Sequence, residues 1–315
     1  RVYACPVFPA SPRDIEYWKY VHTLLIDVEN CQPPEDFKCT FIIQPTAIEI
    51  SPPRELRTLH PLSEPLSPYE NNLQLGVYRQ FEKDTVKYKL YEEAIAISLN
   101  YKPQGVICVL GAGTGLLVEA ALKHGAKKVY VIEKNPIAVK ILRAKALEWG
   151  QNVAIFEGDS RIISLPSQVD VLVSELLGGF GCNEPSPEIL TNFSRWLAPG
   201  AISIPSKYSS FLVPVFSESA FVMSKKESLN VLPPDCYLML TNPQECFSFD
   251  HPSTCNLDQS KDLLFEFDEL KTCHGLLGYF TCELYENIVI TSHPTEKNVS
   301  SWFPIFFPFE KPVEG

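Results

Sequence analysis

VICVLGAGTGLLVEA, residues 106–120, decides the fold. Its first five residues are apolar and run straight into a glycine cluster, which reads as a strand buried on both faces; LLVEAALKH (116–124) then takes up helical spacing. A strand, a glycine turn and a helix start put Gly111, Gly113 and Gly115 at the carboxyl edge of a parallel sheet, where open α/β folds bind ligands. Glycine lets the backbone turn sharply there and lets a ligand approach it. A dinucleotide fingerprint asks for its third glycine at 116, where Leu116 stands. The observed G-x-G-x-G spacing is common in methyltransferases, and taken alone it equally suits a structural turn.

Working outward, the same alternation continues through KVYVIE (128–133), PIAVKILRAKALEW (136–149), VAIFEG (153–158) and VDVLVSE (169–175). Strands alternating with helices mean βαβ units and a parallel sheet. Upstream, Val86, Leu90, Ala94 and Ile97 recur at three and four residues and predict an amphipathic helix over Glu82–Leu99. Downstream of about Pro205 the pattern changes to β-rich segments: SSFLVPVF (209–216), FEFDEL (265–270), LLGYFTCELY (276–285) and IVITS (288–292). The expected organisation is α/β: a Rossmann-like domain over residues 66–204, followed by an antiparallel β domain over 205–315. Residues 1–65 read as a partial N-terminal region and linker, with a helix around Ile15–Ile26, a strand at Thr40–Gln44 and a proline-rich crossing through Pro61, Pro65 and Pro68.

Hydrophobic residues at 45% and charged residues at 21% suit a folded globular chain. No run approaches the roughly 18 apolar residues of a membrane helix, and the N-terminus lacks the apolar core of a signal peptide, so neither a membrane nor secretion is expected. The ten cysteines form no C-x-x-C pair and the six histidines show no ligand spacing, so no metal is expected; Cys108 and Cys282 read as buried reduced thiols. A net charge of −11 disfavours direct nucleic-acid binding and weakly favours a cationic partner.

Two further strand ends carry acids. Glu133 closes KVYVIE, where a carboxylate can accept both ribose hydroxyls of an adenosine, and Asp159 follows VAIFEG, from where it can bond the adenine amino group. Each acid is singly compatible with a helix cap or a solvated turn. Together with the glycines they favour S-adenosylmethionine as the cofactor. The fourth strand runs into SELLGGFGCNE (174–184), with Glu175 at its end and Glu184 beyond a loop made flexible by Gly178, Gly179 and Gly181. Two carboxylates returning to one site repel unless a cation sits between them, and a guanidinium offers planar donors that match them.

SELLGGFGCNE, VLGAGTG (109–115) and VIEKNP (131–136) closely resemble the protein arginine methyltransferases. YRQFEKD (78–84), the pair Lys87 and Tyr88, and SWFP (301–304) resemble that family's symmetric-dimethylating branch. The resemblance, spanning about residue 66 to the C-terminus, implies that Glu175 and Glu184 are catalytic and clamp the substrate arginine. It implies that Tyr78, Lys87, Tyr88, Gly111, Gly113, Gly115, Glu133, Asp159 and Ser160 hold the cofactor, with Lys87 meeting its carboxylate. Phe81, Trp302 and Phe303 would line the substrate pocket: Phe81 stands where asymmetric-dimethylating relatives carry methionine, which implies monomethyl and symmetric dimethyl products, and Trp302 would stack on the guanidinium or serve as packing.

The branch also implies arginine-rich substrates such as histone tails and Sm-type proteins, chromatin regulation, a cytoplasmic and nuclear location, a homo-oligomer and a WD-repeat partner. That partner binds a large N-terminal barrel, against which only some 65 residues stand here, and the C-terminal β barrel is expected to be incomplete. Thr114 replaces a usual arginine, Thr85 a proline and Ser160 a pocket methionine, and Pro185 follows the second glutamate; none of these removes a catalytic group. A methyltransferase-fold scaffold that has lost turnover is the competing expectation. A nicotinamide oxidoreductase is disfavoured by Leu116.

Overall fold

The computed structural model describes residues 75–182, 184, 186–224, 236–252, 259–267, 271–296 and 298–314, together with the backbone of four short strands before residue 52. The chain divides into two compact units, Arg1–Glu64 and Pro65–Gly315. In the first, Thr40–Gln44 is the expected strand and pairs antiparallel with Ala47–Ser51. Leu25–Ile26, expected at the end of a helix, instead pairs as a strand with Val2–Tyr3. Both residues are apolar and one is β-branched, so a tertiary partner decides their conformation. The rest of that predicted helix, and the proline-rich crossing, lie outside the described residues.

The second unit opens with α1 (Leu75–Glu82) and α2 (Thr85–Tyr101). The periodicity predicted one helix from Glu82, but the chain breaks at Lys83 and Asp84. Asp84 caps α2, its side chain accepting from the Lys87 amide at 3.1 Å. Then follow β1 (Val106–Leu110), α3 (Leu116–Lys123), β2 (Lys128–Glu133), α4 (Pro136–Trp149), β3 (Val153–Glu157), β4 (Val169–Ser174), α5 (Ser186–Phe193) and β5 (Leu197–Ile204). α4 starts where proline and a capping side chain favour it: Pro136 is its first residue, and Asn135 accepts from the Ile137 amide at 2.8 Å.

The five strands are all parallel in the order β3-β2-β1-β4-β5. Ile107, Val109, Val129, Val131, Val171 and Val173 are fully buried, each worth about 1.5–3 kcal/mol of transfer free energy. Leu110 is in register with Ile132 on one side and with Ser174 on the other. The next residue of each strand is therefore Gly111, Glu133 and Glu175, three functional candidates side by side on one sheet edge.

The chain continues as β6 (Lys207–Phe216), α6 (Glu218–Ser224), β7 (Leu238–Met239), β8 (Gln244–Asp250), β9 (Thr272–Tyr285), β10 (Ile288–Thr291) and β11 (Ile305–Glu314). These strands form an antiparallel six-stranded sheet curled into a half-barrel. β6 and β9 pair in the middle; β7 and β8 flank β6, and β10 and β11 flank β9. Of the predicted strand at FEFDEL, Phe265–Phe267 is irregular and the rest lies outside the described residues. Alternation supplies a face for a sheet but no partner for the backbone. Tyr208, Phe280, Cys282, Leu284 and Ile290 join the parallel sheet in one buried core, so the two sheets of this unit share their interior. Cys108 and Cys282 are buried free thiols, and burial pushes both well above the ordinary thiol range.

Candidate active site

The glycine turn after β1 is a cradle that side chains would fill. Gly113 has φ +54°, and a Cβ there would stand 3.3 Å from the Tyr78 ring; Gly115 has φ +97°, and a Cβ would meet Trp149 at 2.6 Å. Glu133, 7% exposed, accepts from the Gly113 amide at 2.9 Å and the Asn135 amide at 2.8 Å. Burial raises its carboxyl above the usual range despite these bonds, and Glu175 adds like-charge repulsion. Tyr78, at the cradle's mouth, is buried with its hydroxyl raised by burial and by Glu133. Asp159 behaves in the opposite way. Arg161 donates to both of its oxygens, at 2.9 and 2.6 Å, and this pairing lowers the carboxyl to about 2. Ser160 beside it is buried.

A buried carboxylate at the strand end, with the glycine cradle on one side of it and a second carboxylate beyond the neighbouring strand on the other, fits an adenosine: acceptors for hydroxyls and an amino group, and bare backbone for close approach.

The loop after β4 carries the two glutamates. Gly178 and Gly181 exchange both main-chain hydrogen bonds, at 3.3 and 2.8 Å, and so turn the chain back toward Glu184. The glycines, expected to confer flexibility, are packed: a Cβ on Gly179 would meet the Phe303 carbonyl at 2.6 Å. The half-barrel supports this turn, with the Ser210 hydroxyl donating to the Phe180 carbonyl at 2.6 Å and that of Ser292 to the Gly179 carbonyl at 3.3 Å. Glu184 lies at the foot of α5, where its carbonyl accepts from the Ser186 amide at 2.8 Å.

Glu175 meets a cation. The Lys87 ammonium, fully buried on the first turn of α2, is 3.2 Å from Glu175 Oε1. The same Nζ lies 5.3, 4.7 and 4.9 Å from the ring centroids of Phe81, Tyr88 and Trp302. Burial and the nearby Glu175 push the Tyr88 hydroxyl up. Trp302 is itself anchored: its indole donates to the Leu177 carbonyl at 2.6 Å, and its ring stands edge-on to Phe280 at 5.2 Å. It is both core packing and one wall of a cation cage.

Sequence reasoning passed over the group that assembles this cage. Asp84 is 3% exposed; besides capping α2 it accepts from the Ser300 amide at 2.7 Å, the Ser301 amide at 2.7 Å and the Ser301 hydroxyl at 2.8 Å. Burial alone would raise its carboxyl, but these bonds prevail and hold it below the usual range. It pins the loop carrying Trp302 against the helix carrying Lys87. An acid three residues ahead of Lys87 signals a helix cap, but nothing local points to partners 216 residues away. Tyr91 was also missed; its hydroxyl donates to the Ser174 carbonyl at 3.0 Å and seats α2 on the end of β4.

A 3-2-1-4-5 parallel sheet with this cradle, joined to an antiparallel half-barrel that completes an aromatic cage, defines a methyltransferase-fold protein of the Rossmann-like class. Residues 54–204 match the family model described as PRMT5 arginine-N-methyltransferase, and residues 207–314 the one described as PRMT5 oligomerisation domain. The chain belongs to the protein arginine N-methyltransferase 5 family.

It is 38% identical over 282 residues to protein arginine N-methyltransferase 5 of Oryza sativa subsp. indica, covering 80% of this chain and 44% of that protein. It is 35% identical over 283 residues to the Xenopus laevis protein of that name, with 80% and 45% covered. Against protein arginine N-methyltransferase skb1 of Schizosaccharomyces pombe it is 33% identical over 291 residues, with 80% and 46% covered. The chain thus spans about half the length of these relatives. In fold it is similar to the Trypanosoma brucei PRMT1 enzyme-prozyme heterotetrameric complex with AdoHcy, at TM-score 0.64 and 18% identity over 77% of this chain and 84% of that one. It is also similar to Arabidopsis thaliana protein arginine methyltransferase 10, at TM-score 0.61 and 20% identity over 76% and 84%.

Proposed function

We propose that this chain transfers methyl groups from S-adenosylmethionine to arginine guanidinium groups in proteins, giving monomethyl and symmetric dimethylarginine. The observation that carries the reading is the cage itself: a buried cation held by Glu175 and three aromatic rings, one strand away from the glycine cradle. Membership of the family and the fit of the cradle to an adenosine support it.

Glu133 accepts ribose hydroxyls, Asp159 takes the adenine amino group with lone pairs that Arg161 leaves available, and Tyr78 covers the cradle. S-adenosylmethionine, when bound, supplies an electrophilic methyl group on its sulfonium. Glu175 and Glu184 hold the guanidinium, keep its positive charge on the nitrogens that do not react, and orient the lone pair of the one that does. Trp302 and Phe81 exclude water and fix the plane of the group. No covalent intermediate is required; positioning and charge steering carry the catalysis.

The same proposal includes self-association through the half-barrel, basic protein substrates such as histone tails and Sm-type proteins, a WD-repeat partner and action in cytoplasm and nucleus. The family name of residues 207–314 supports the first, and the net charge of −11 suits basic substrates. Incubation with methyl-labelled S-adenosylmethionine and a Gly-Arg-rich peptide, with and without a WD-repeat partner, tests the reading. Monomethyl and symmetric dimethylarginine are expected. Absence of any methylarginine would overturn the activity, and asymmetric dimethylarginine would overturn the role given to Phe81.

A further inference from the structure

The place argued above for a substrate guanidinium holds an ammonium of the protein itself. Lys87 is the one buried lysine or arginine among the described residues. Its Nζ lies 3.2 Å from Glu175 Oε1 and within 5.3 Å of three ring centroids, the set of partners that recognises a cation in a desolvated pocket. A second cation cannot share that cage, because like charges repel at such distances and the Glu175 oxygen is already engaged. Lysine is suited to leaving: its ammonium sits on a flexible four-carbon stem, so it can withdraw while Asp84 keeps the first turn of α2 in place. The neighbouring cleft, covered by Tyr78 and backed by Glu133, is where the proposed cofactor's amino-acid carboxylate would offer that ammonium an anion.

We infer that Lys87 is an internal occupant of the guanidinium subsite, and that its withdrawal toward a carboxylate in the cofactor cleft opens the cage to a substrate arginine. Lys87 is then a positioning residue that sets the order of binding, nucleoside before peptide. The inference rests on the methyltransferase reading.

Calorimetric titration of a Gly-Arg-rich peptide into the full chain tests it without turnover. If Lys87 fills the cage about nine-tenths of the time, Lys87→Met should bind peptide about tenfold more tightly than wild type with no nucleoside present. Lys87→Gln should do the same. In wild type, S-adenosylhomocysteine should raise peptide affinity by a similar factor, and its decarboxylated analogue should bind without doing so. A merely structural lysine would weaken peptide binding when replaced, not strengthen it.

Equal peptide affinity in wild type and both variants, or no binding by any of them, overturns the inference. So does equal enhancement by the two nucleosides, an arm that needs no variant to fold. Failure of wild type to bind S-adenosylhomocysteine at all would instead sink the methyltransferase reading, leaving the comparison of variants to decide the role of Lys87.

Discussion

The proposed nucleoside side of the site draws Gly111, Gly113, Glu133 and Asp159 from one run of chain, each at or just beyond the end of a strand in one parallel sheet. The cation side draws Phe81 and Lys87 from two helices, Glu175 from a strand end, and Trp302 from a loop before the last strand of the other sheet. Strand register alone sets Gly111, Glu133 and Glu175 abreast, so the nucleoside side needs only the parallel sheet and Tyr78 of α1 to cover it. The cation side exists only when the half-barrel is docked and Asp84 has taken up the amides of Ser300 and Ser301. On the proposed reading each side can therefore be altered by substitution without dismantling the other, with Glu175 and Lys87 the residues that join them.

The largest expected effect tests Glu184, which the proposed function pairs with Glu175 on the cation side. Glu184→Gln should lower turnover by about 10²–10³, the scale of losing one preorganised electrostatic group, while S-adenosylhomocysteine affinity by calorimetry stays within about twofold. A parallel loss of nucleoside binding would erase the distinction between the two sides. Glu133→Gln attacks the other one. Losing a buried charged acceptor should weaken nucleoside binding by about 1.5–3 kcal/mol, with little change in kcat at saturating cofactor.

Asp84→Asn addresses the join between them. It puts an amide donor among groups that already donate, so unfolding in urea should show a loss of about 1–3 kcal/mol. The peptide KM should rise with the cofactor Kd unchanged. A variant with normal peptide KM would mean that the Trp302 loop holds its place without Asp84.

The same contrast explains what could be read from the chain before its fold was known. Glycine spacing, strand runs and strand-end acids are local signals, and they place the nucleoside side and the parallel sheet on their own. The apolar period begins only at Val86, so it could not fix where the helix starts, and the break between α1 and α2 falls at Asp84, whose capping of α2 sets that start. The stiffness of the Gly178–Gly181 turn was hidden because it depends on the Phe303 carbonyl and on hydroxyls of β6 and the segment after β10. Leu25 and Ile26 show the same limit in a strand: a two-residue pairing carries no period at all. Trp302 could be read either as packing or as a cage wall because the distinction lies in what faces each side of one ring: Leu177 and Phe280 hold it, and Lys87 faces it.

The smallest expected effect separates the two acids of the nucleoside side by pH. Asp159, lowered to about 2 by Arg161, contributes stability that is complete above its unfolded value near 3.8 and is lost only as pH falls from there toward 2. Glu133 has the opposite sign. Its folded carboxyl is raised above 4.5, so its contribution is complete below that value and is lost as pH rises through the folded one. In the proposed complex, ribose hydroxyls donating to Glu133 would favour its ionised form and reverse part of that loss. Nucleoside affinity should therefore fall by about tenfold per pH unit once pH drops below the raised titration of Glu133, with one proton taken up on release. Asp159 remains ionised throughout that window and adds no slope. In Glu133→Gln the fall should vanish; a slope that survives the substitution would assign the ribose contact to another acid of the cleft.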